Sequence, residues 1–262
     1  MKQFILNSDP DKDWIVRLEG KEHRYLVRVR RMAAGEFFPA LLPNGEETIV
    51  KIISIDANVL VGKCTNSPVS SSNHDSSLPP IILLQALPKS DKMDLIVRQA
   101  AEGGITEIIP FVSEFSLGKA NASGQKFSRW ERIIKEARQQ SGSKIATTIR
   151  LPLTIDELIF YWNELKSKNV IGLFFHHRVL EQKSIHEYLE VSPQKIIMAI
   201  GPEGGFSEKE VSLFFESGFK PLTIGDTILR TETAALYFAA AIRVILLERD
   251  AWEMKQHLNK TN

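Results

Sequence analysis

Residues 196–240 constrain this chain more than any other stretch. They read IIMAIGPEGGFSEKEVSLFFESGFKPLTIGDTILRTETAALYFAA. The apolar run 196–200 has the length and β-branching of a buried strand. It stops at Gly201-Pro202-Glu203-Gly204-Gly205, a turn whose glycines allow a ligand to come close to the backbone. Ser207 then opens a Ser-Glu-Lys-Glu capping box closed by Glu210, and the helix that follows ends near Gly218. Residues 221–224 form a second short strand. It empties into Gly225-Asp226-Thr227-Ile228-Leu229-Arg230-Thr231-Glu232-Thr233, and a long apolar helix follows. Two strand–loop–helix units thus lie in tandem, each with a polar loop at the carboxyl end of its strand. That edge is where open α/β sheets bind ligands.

The rest of the C-terminal part repeats this alternation. Strands are expected at 81–86, 105–112, 149–153 and 169–175, the last followed by His176-His177. Helices are expected at 89–103, with Met93, Leu95, Ile96 and Ala100 toward the core, and at 130–140 behind a capping box of Ser128 and Glu131. Further helices run from the Thr154/Glu157 box to about 165 and over 184–190. The pattern predicts a mainly parallel, three-layer α/β sheet. Residues 1–64 differ. Strands at 25–29 and 59–64, and a hairpin of 37–42 and 48–55 around Pro43-Asn44-Gly45, predict a small β-barrel with no helical stretch. Between them, residues 65–80 hold seven serines and threonines and three prolines. This reads as a boundary: a barrel at 1–70, a linker at 71–80 and an α/β domain at 81–262.

Composition narrows the class. At 262 residues, 43% apolar and 25% charged, the chain suits one large or two modest globular domains. The single Cys64 excludes an internal disulfide and fits a reducing, cytoplasmic setting. The N-terminal apolar run 4–6 is too short for a secretion signal, and the longest apolar stretch, 234–247, is broken by Arg243 and too short to span a membrane. No His or Cys pair has metal-ligand spacing, and His74 falls in the linker. The net charge of +1 does not announce a nucleic-acid binder. Its distribution is more telling: residues 21–31 carry five cations against Glu22, and residues 126–150 carry seven against Glu131 and Glu136. Either the two clusters are solvated faces or they contact a polyanion.

GPEGGF at 201–206, followed by ILRTETA at 228–234, resembles the SPOUT class of S-adenosylmethionine-dependent RNA methyltransferases. More narrowly it is similar to the RsmE family, which methylates N3 of a uracil in small-subunit (16S) ribosomal RNA. Fainter resemblance at 23–36, 84–93 and 129–142 extends this over most of the chain. The resemblance implies a PUA-like, RNA-binding barrel, a deep trefoil knot in the C-terminal domain, and a homodimer acting on ribosomal RNA, free or within the assembled subunit. Knots are otherwise nearly absent from proteins.

Three loops would hold a bent S-adenosylmethionine, mostly through backbone groups: Phe175 and His176; Gly201, Pro202, Glu203, Gly204 and Gly205; and Ile224, Gly225, Ile228, Leu229, Thr231, Thr233 and Ala234. A phosphate loop fits less well, because Glu203 is acidic and no GxxxxGK[ST] lysine is present. Arg230 matches the family's loop arginine and would stabilise charge on the uracil carbonyls. Glu232 would orient Arg230 or accept the N3 proton; its alternative is an acid favoured by a helix N-terminus. Thr231 or Thr233 would be the N-cap, and His176 and His177 would touch cofactor or RNA. RNA contacts are expected from Arg24, Arg28, Arg30, Arg31, Arg129, Arg132, Arg138 and Lys144, with 129, 132, 135 and 138 forming one basic helix face.

Two departures stand out. Thr227 replaces the family's first loop arginine, and Gln139 and Ser143 replace a Glu and an Arg, with Lys144 beside them. The last helix, 233–248, is apolar on nearly every face and is expected to be buried all round, partly against a second subunit. Two other functions remain open at this point. One is a SPOUT ribose 2′-O-methyltransferase acting on transfer or ribosomal RNA. The other is a non-catalytic RNA-binding assembly factor that keeps the fold.

Overall fold

A computed structural model describes residues 3–66, 78–116, 124–166, 169–178 and 180–259. Most of the expected linker, residues 71–77, lies outside them, as does His74. The chain divides into two units, residues 1–74 with 138–146 and residues 75–137 with 147–262.

The first unit holds β1 (Ile15–Glu19), α1 (Gly20–Arg24), a π-helical turn (Tyr25–Val29), β2 (Phe37–Leu41), β3 (Glu47–Ile55) and β4 (Val59–Asn66). The strands form an antiparallel sheet in the order β1-β4-β3-β2. Val16, Leu18, Phe38, Ala40, Val50 and Ile52 alternate inward with Phe4, Leu6 and Leu26, the period-two pattern of a sheet with one covered face. β1 and β2 are its edges, and Ile5 adds a parallel bridge to Leu41. The strand expected at 25–29 is helical instead. Over 22–29 the buried or half-buried residues are Glu22, His23, Tyr25, Leu26 and Val27, a run with no alternation, as on a helix and not a strand.

The return of 138–146 to this unit was not expected either. Arg138 is buried and donates to the carbonyls of Pro43 and Lys144. Lys144 pairs with Glu47 at 2.7 Å. At Gly45, φ is +95°, and a Cβ would stand 2.1 Å from the Lys144 carbonyl oxygen. The predicted turn therefore also needs glycine for a close backbone approach.

The second unit contains β5 (Ile81–Ala86), α2 (Lys92–Glu102), β6 (Glu107–Val112), α3 (Gly124–Ser141, whose residues from Arg138 on belong to the first unit), β7 (Thr148–Ile149), β8 (Leu153–Thr154), α4 (Ile155–Leu165), β9 (Val170–Phe175), α5 (Ile185–Leu189), β10 (Lys195–Ile200), α6 (Glu208–Glu216), β11 (Lys220–Leu222) and α7 (Thr231–Asn259). The sheet runs β11-β9-β10-β5-β6-β7, with β8 also on β6, and every pairing is parallel. β5 is buried at all six positions, as a strand covered on both faces must be. One face packs on Met93, Ile96, Trp130, Ile134, Phe238 and Ile242, and the other on Leu158, Trp162, Phe206, Phe214 and Phe219. These helices make the two outer layers. Each buried large side chain contributes about 1.5–3 kcal/mol.

Local signals were only partly right. The Thr154/Glu157 and Ser207/Glu210 boxes form with both bonds present. Ser128 caps nothing, because α3 already runs from Gly124. Leu95 is 38% exposed and not a core residue. The strand expected at 149–153 is split into β7 and β8 on either side of 150–152, where Pro152 has no N–H to give to a ladder. Among the described residues, no helix is long and apolar enough to cross a membrane.

Candidate functional site

β11, β9 and β10 are parallel neighbours, so the loops leaving their carboxyl ends share one edge of the sheet. These are residues 176–178, 201–205 and 223–230. They enclose a cavity of about 530 Å³, within the size range of cofactor sites. Its walls are apolar at Phe175, Ile200, Ile224, Ile228, Leu229 and Phe238. The backbone of Gly201, Pro202, Gly204, Gly205 and Gly225 is presented between them.

Glycine is required in this loop. Gly205 has φ +72°, and a Cβ on Gly201 would meet the Gly205 backbone carbon at 3.1 Å. The loop is also tied down. Ser207 Oγ accepts from the Glu210 N–H, while the buried Glu210 carboxylate accepts from Ser207 N–H, Ser113 Oγ–H and Glu114 N–H. Helix α6 is thereby fixed to the loop after β6.

The second motif reaches the first through Thr231. Its Oγ donates to the Gly201 carbonyl at 2.7 Å and accepts from Gln85 Nε2 at 3.0 Å. The expectation of an N-cap at Thr231 or Thr233 is therefore corrected. Both lie within α7, and the Thr231 hydroxyl serves the glycine loop. Along α7, Thr231, Ala234 and Phe238 line the cavity at helical spacing. Thr233 falls off that stripe and is exposed, so it is not brought to the site.

Arg230 lines the cavity and is exposed, with no acid at ion-pair distance among the described residues. Glu232 does not pair with Arg230. Its Oε2 stands 3.6 Å from Lys92 Nζ. Lys92 was missed by sequence reasoning, as were Phe238, which stacks on Phe175 with ring centroids 3.7 Å apart, and Gln85. Lys92 also pairs with Glu203 at 2.8 Å. That hydrogen bond is the main cause holding the ammonium above its ordinary range, with Glu232 adding to it. Partial burial works to raise the Glu203 carboxyl, but the donors Lys92 and Lys89 N–H outweigh it and hold it below the usual carboxylate range.

His176 and His177 stack at 4.6 Å between ring centroids, and both line the cavity. Burial first, and then His177 beside it, push the His176 imidazole down.

The expected RNA-contact residues divide. Arg24, Arg28, Arg30 and Arg31 are exposed on the first unit. Arg132 is exposed on α3, and Arg129 pairs with Asp94. Arg138 is a correction: it is buried with its guanidinium on backbone carbonyls, so the basic helix face stops short of it.

The donor set fits an adenosyl cofactor. It offers apolar walls for a ring, glycine backbone for its polar edge, and carboxylates for a cation. Comparison with known proteins agrees. A family model described as an RNA methyltransferase domain matches residues 75–243. A protein of Synechocystis named ribosomal RNA small subunit methyltransferase E is 30% identical over 88% of this chain and 73% of its own length. The Borreliella burgdorferi protein named ribosomal RNA small subunit methyltransferase E 2 is 30% identical over 94% of this chain and 98% of its own. A Neisseria gonorrhoeae methyltransferase E, solved with S-adenosyl methionine, shares the fold at a TM-score of 0.77 and 24% identity, covering 94% of this chain and 98% of that one. A Legionella pneumophila protein solved with S-adenosyl methionine bound superposes at a TM-score of 0.73 and 25% identity, covering 93% of this chain and 98% of that one. With its glycine loop and Arg230-bearing loop closed on one cavity, the chain belongs to the ribosomal RNA small subunit methyltransferase E family of RNA methyltransferases.

Proposed function

We propose that this protein transfers the methyl group of S-adenosylmethionine to N3 of a uridine in small-subunit ribosomal RNA. The observation that carries the reading is the convergence of the three sheet-edge loops on one cavity, in a chain of this family. Phe175, Ile224, Leu229 and Phe238 would hold the adenosyl ring, and Gly201, Gly204, Gly205 and Gly225 would offer backbone groups to it. When bound, the sulfonium supplies an electrophilic methyl group, so the chain's main task is orientation, worth about 7–11 kcal/mol of a barrier. Arg230, exposed and without an acid partner among the described residues, supplies positive charge to the uracil carbonyls as N3 loses its proton. Glu232, whose Oε2 stands 3.6 Å from the Lys92 ammonium, would accept that proton.

RNA is held by Arg24, Arg28, Arg30 and Arg31 on a PUA-like barrel and by Arg129, Arg132 and Lys144. The C-terminal unit carries the deep trefoil knot. The active species is a homodimer. Leu236, Tyr237, Val244 and Leu247 of α7 are 40–51% exposed and fall within an arc of about 100°. Within one chain α7 is therefore not buried all round, and this exposed arc supports the expected face for a second subunit. The buried free thiol of Cys64 accords with a cytoplasmic setting.

The test is incubation of the protein with methyl-labelled S-adenosylmethionine and small-subunit ribosomal RNA, free and assembled, followed by nucleoside analysis. Label in N3-methyluridine supports the reading. Label in a 2′-O-methylated nucleoside, or none, overturns it.

A further inference from the structure

Lys92 and Glu203 line the cavity, and Glu232 stands behind them, in reach of Lys92. Lys92 Nζ lies between Glu203 Oε1 at 2.8 Å and Glu232 Oε2 at 3.6 Å, and both Glu203 oxygens also face the Lys89 N–H at 3.2 and 3.3 Å. Two features run against ordinary rules. Lys92 is the first residue of α2, where the positive end of the helix dipole disfavours a cation. Glu232 Oε2 is buried with the Lys92 ammonium, at 3.6 Å, as its charge partner and no donor at closer hydrogen-bond distance among the described residues, a loose pairing for a buried carboxylate. Departures of this kind cluster at functional sites.

One ammonium between two carboxylates leaves one net negative charge beside the cavity, at the otherwise positive amino ends of α2 and α7. Arg230 adds a cation to the lining but is exposed. In methyl transfer the electron pair of the S–CH3 bond stays on sulfur, the methyl group bonds to N3, and the N3 proton leaves to a base. The product is a neutral thioether that differs from the cofactor by one methyl group and one positive charge.

We propose that the Lys92–Glu203–Glu232 cluster makes the cavity select the sulfonium cofactor over its neutral product, with Lys92 as the specificity-determining residue that sets the strength of that selection. The inference rests on the methyl-transfer reading above. Lys92 limits the attraction to one charge, so the cofactor is held and the demethylated product is released.

The test is calorimetric titration of the full chain with S-adenosylmethionine and with S-adenosylhomocysteine, taking the ratio of product Kd to cofactor Kd. Each ratio is internal to one protein, so a general loosening of the site cancels, and the constant charge of Arg230 drops out when ratios are compared between variants. One charge several ångströms away in a largely aqueous surrounding is worth about 3- to 10-fold. The unaltered protein is expected to prefer the cofactor. Lys92→Met raises the ratio by about 3- to 10-fold, Glu203→Gln lowers it by a similar factor, and Lys92→Arg leaves it in place. Glu232→Gln, which removes a charge at a second point, must move the ratio in the direction of Glu203→Gln. Ratios that stay within about twofold across the series, with both ligands binding, overturn the inference. Failure of the unaltered protein to bind either ligand overturns the methyl-transfer reading itself.

Discussion

The hydroxyl of Thr231 donates to the carbonyl of Gly201 at 2.7 Å, joining two motifs thirty residues apart. Gln85 Nε2, fully buried on β5, donates to the same hydroxyl. The glycine loop and the first turn of α7 are thus held by one chain of hydrogen bonds rooted in a central strand. Thr231→Val keeps the shape and removes the hydroxyl, leaving the Gly201 carbonyl and one Gln85 N–H without their partner. The expected cost is about 1–3 kcal/mol in chemical denaturation, with a weaker cofactor Kd. Unchanged stability and affinity would show that the chain of bonds is incidental.

Arg230 sits on the cavity lining with its charge unpaired among the described residues. Arg230→Ala is expected to bind S-adenosylmethionine as before and to lose about 100- to 1000-fold in methylation rate, the size of losing one donor to developing charge. Single-turnover kinetics beside a cofactor titration separates the two effects. A rate within a few-fold of the unaltered protein would remove Arg230 from the mechanism.

Gly205 adopts a left-handed conformation. Gly205→Ala places a Cβ there and costs about 1–2 kcal/mol, read as a lower Tm and a raised cofactor Kd. An alanine tolerated without either change would mean that the loop relaxes freely.

The sequence was most legible where one local rule acts alone. Ser207/Glu210 and Thr154/Glu157 cap as expected because serine or threonine and glutamate three residues apart satisfy each other's backbone. The loops around Gly201 and Arg230 were legible because buried strands end abruptly in small and polar residues. Long-range partners were not legible. Arg138 reads as one more basic residue until Pro43 and Lys144 present their carbonyls. Lys92 carries no motif, and its one local sign, a cation at a helix start, becomes meaningful once Glu203 and Glu232 arrive from 111 and 140 residues away. Residues 25–29 alternate weakly enough to read as a strand, yet the Leu26 and Val27 side chains bury as a helix does.

His176 supplies a pH dependence. Its imidazole is pushed down, by burial first and by His177 second, so the unfolded chain takes up a proton at higher pH than the folded one. The contribution to stability is intact well above the ordinary histidine range, near pH ~6.5. It is lost as pH falls through that range toward the folded value. His176→Asn keeps an acceptor for the Arg178 N–H and removes the titration. The unaltered protein is expected to lose more Tm than this variant between pH 8 and pH 5; equal losses would contradict the assignment.

Leu236 and Val244 lie on the exposed apolar arc of α7. Sedimentation of the unaltered protein is expected to give twice the chain mass of 29.6 kDa, and the Leu236→Glu/Val244→Glu variant the chain mass. An unaltered protein that stays at the single-chain mass at micromolar concentration would contradict a dimer built on this face.

Calorimetric titration of the purified protein with S-adenosylmethionine asks whether the three sheet-edge loops form a cofactor site. Saturable binding of one cofactor for each chain is expected, weakened by Thr231→Val and Gly205→Ala and not by Arg230→Ala. No heat of binding at millimolar cofactor would leave the glycine loops as turns with a structural role.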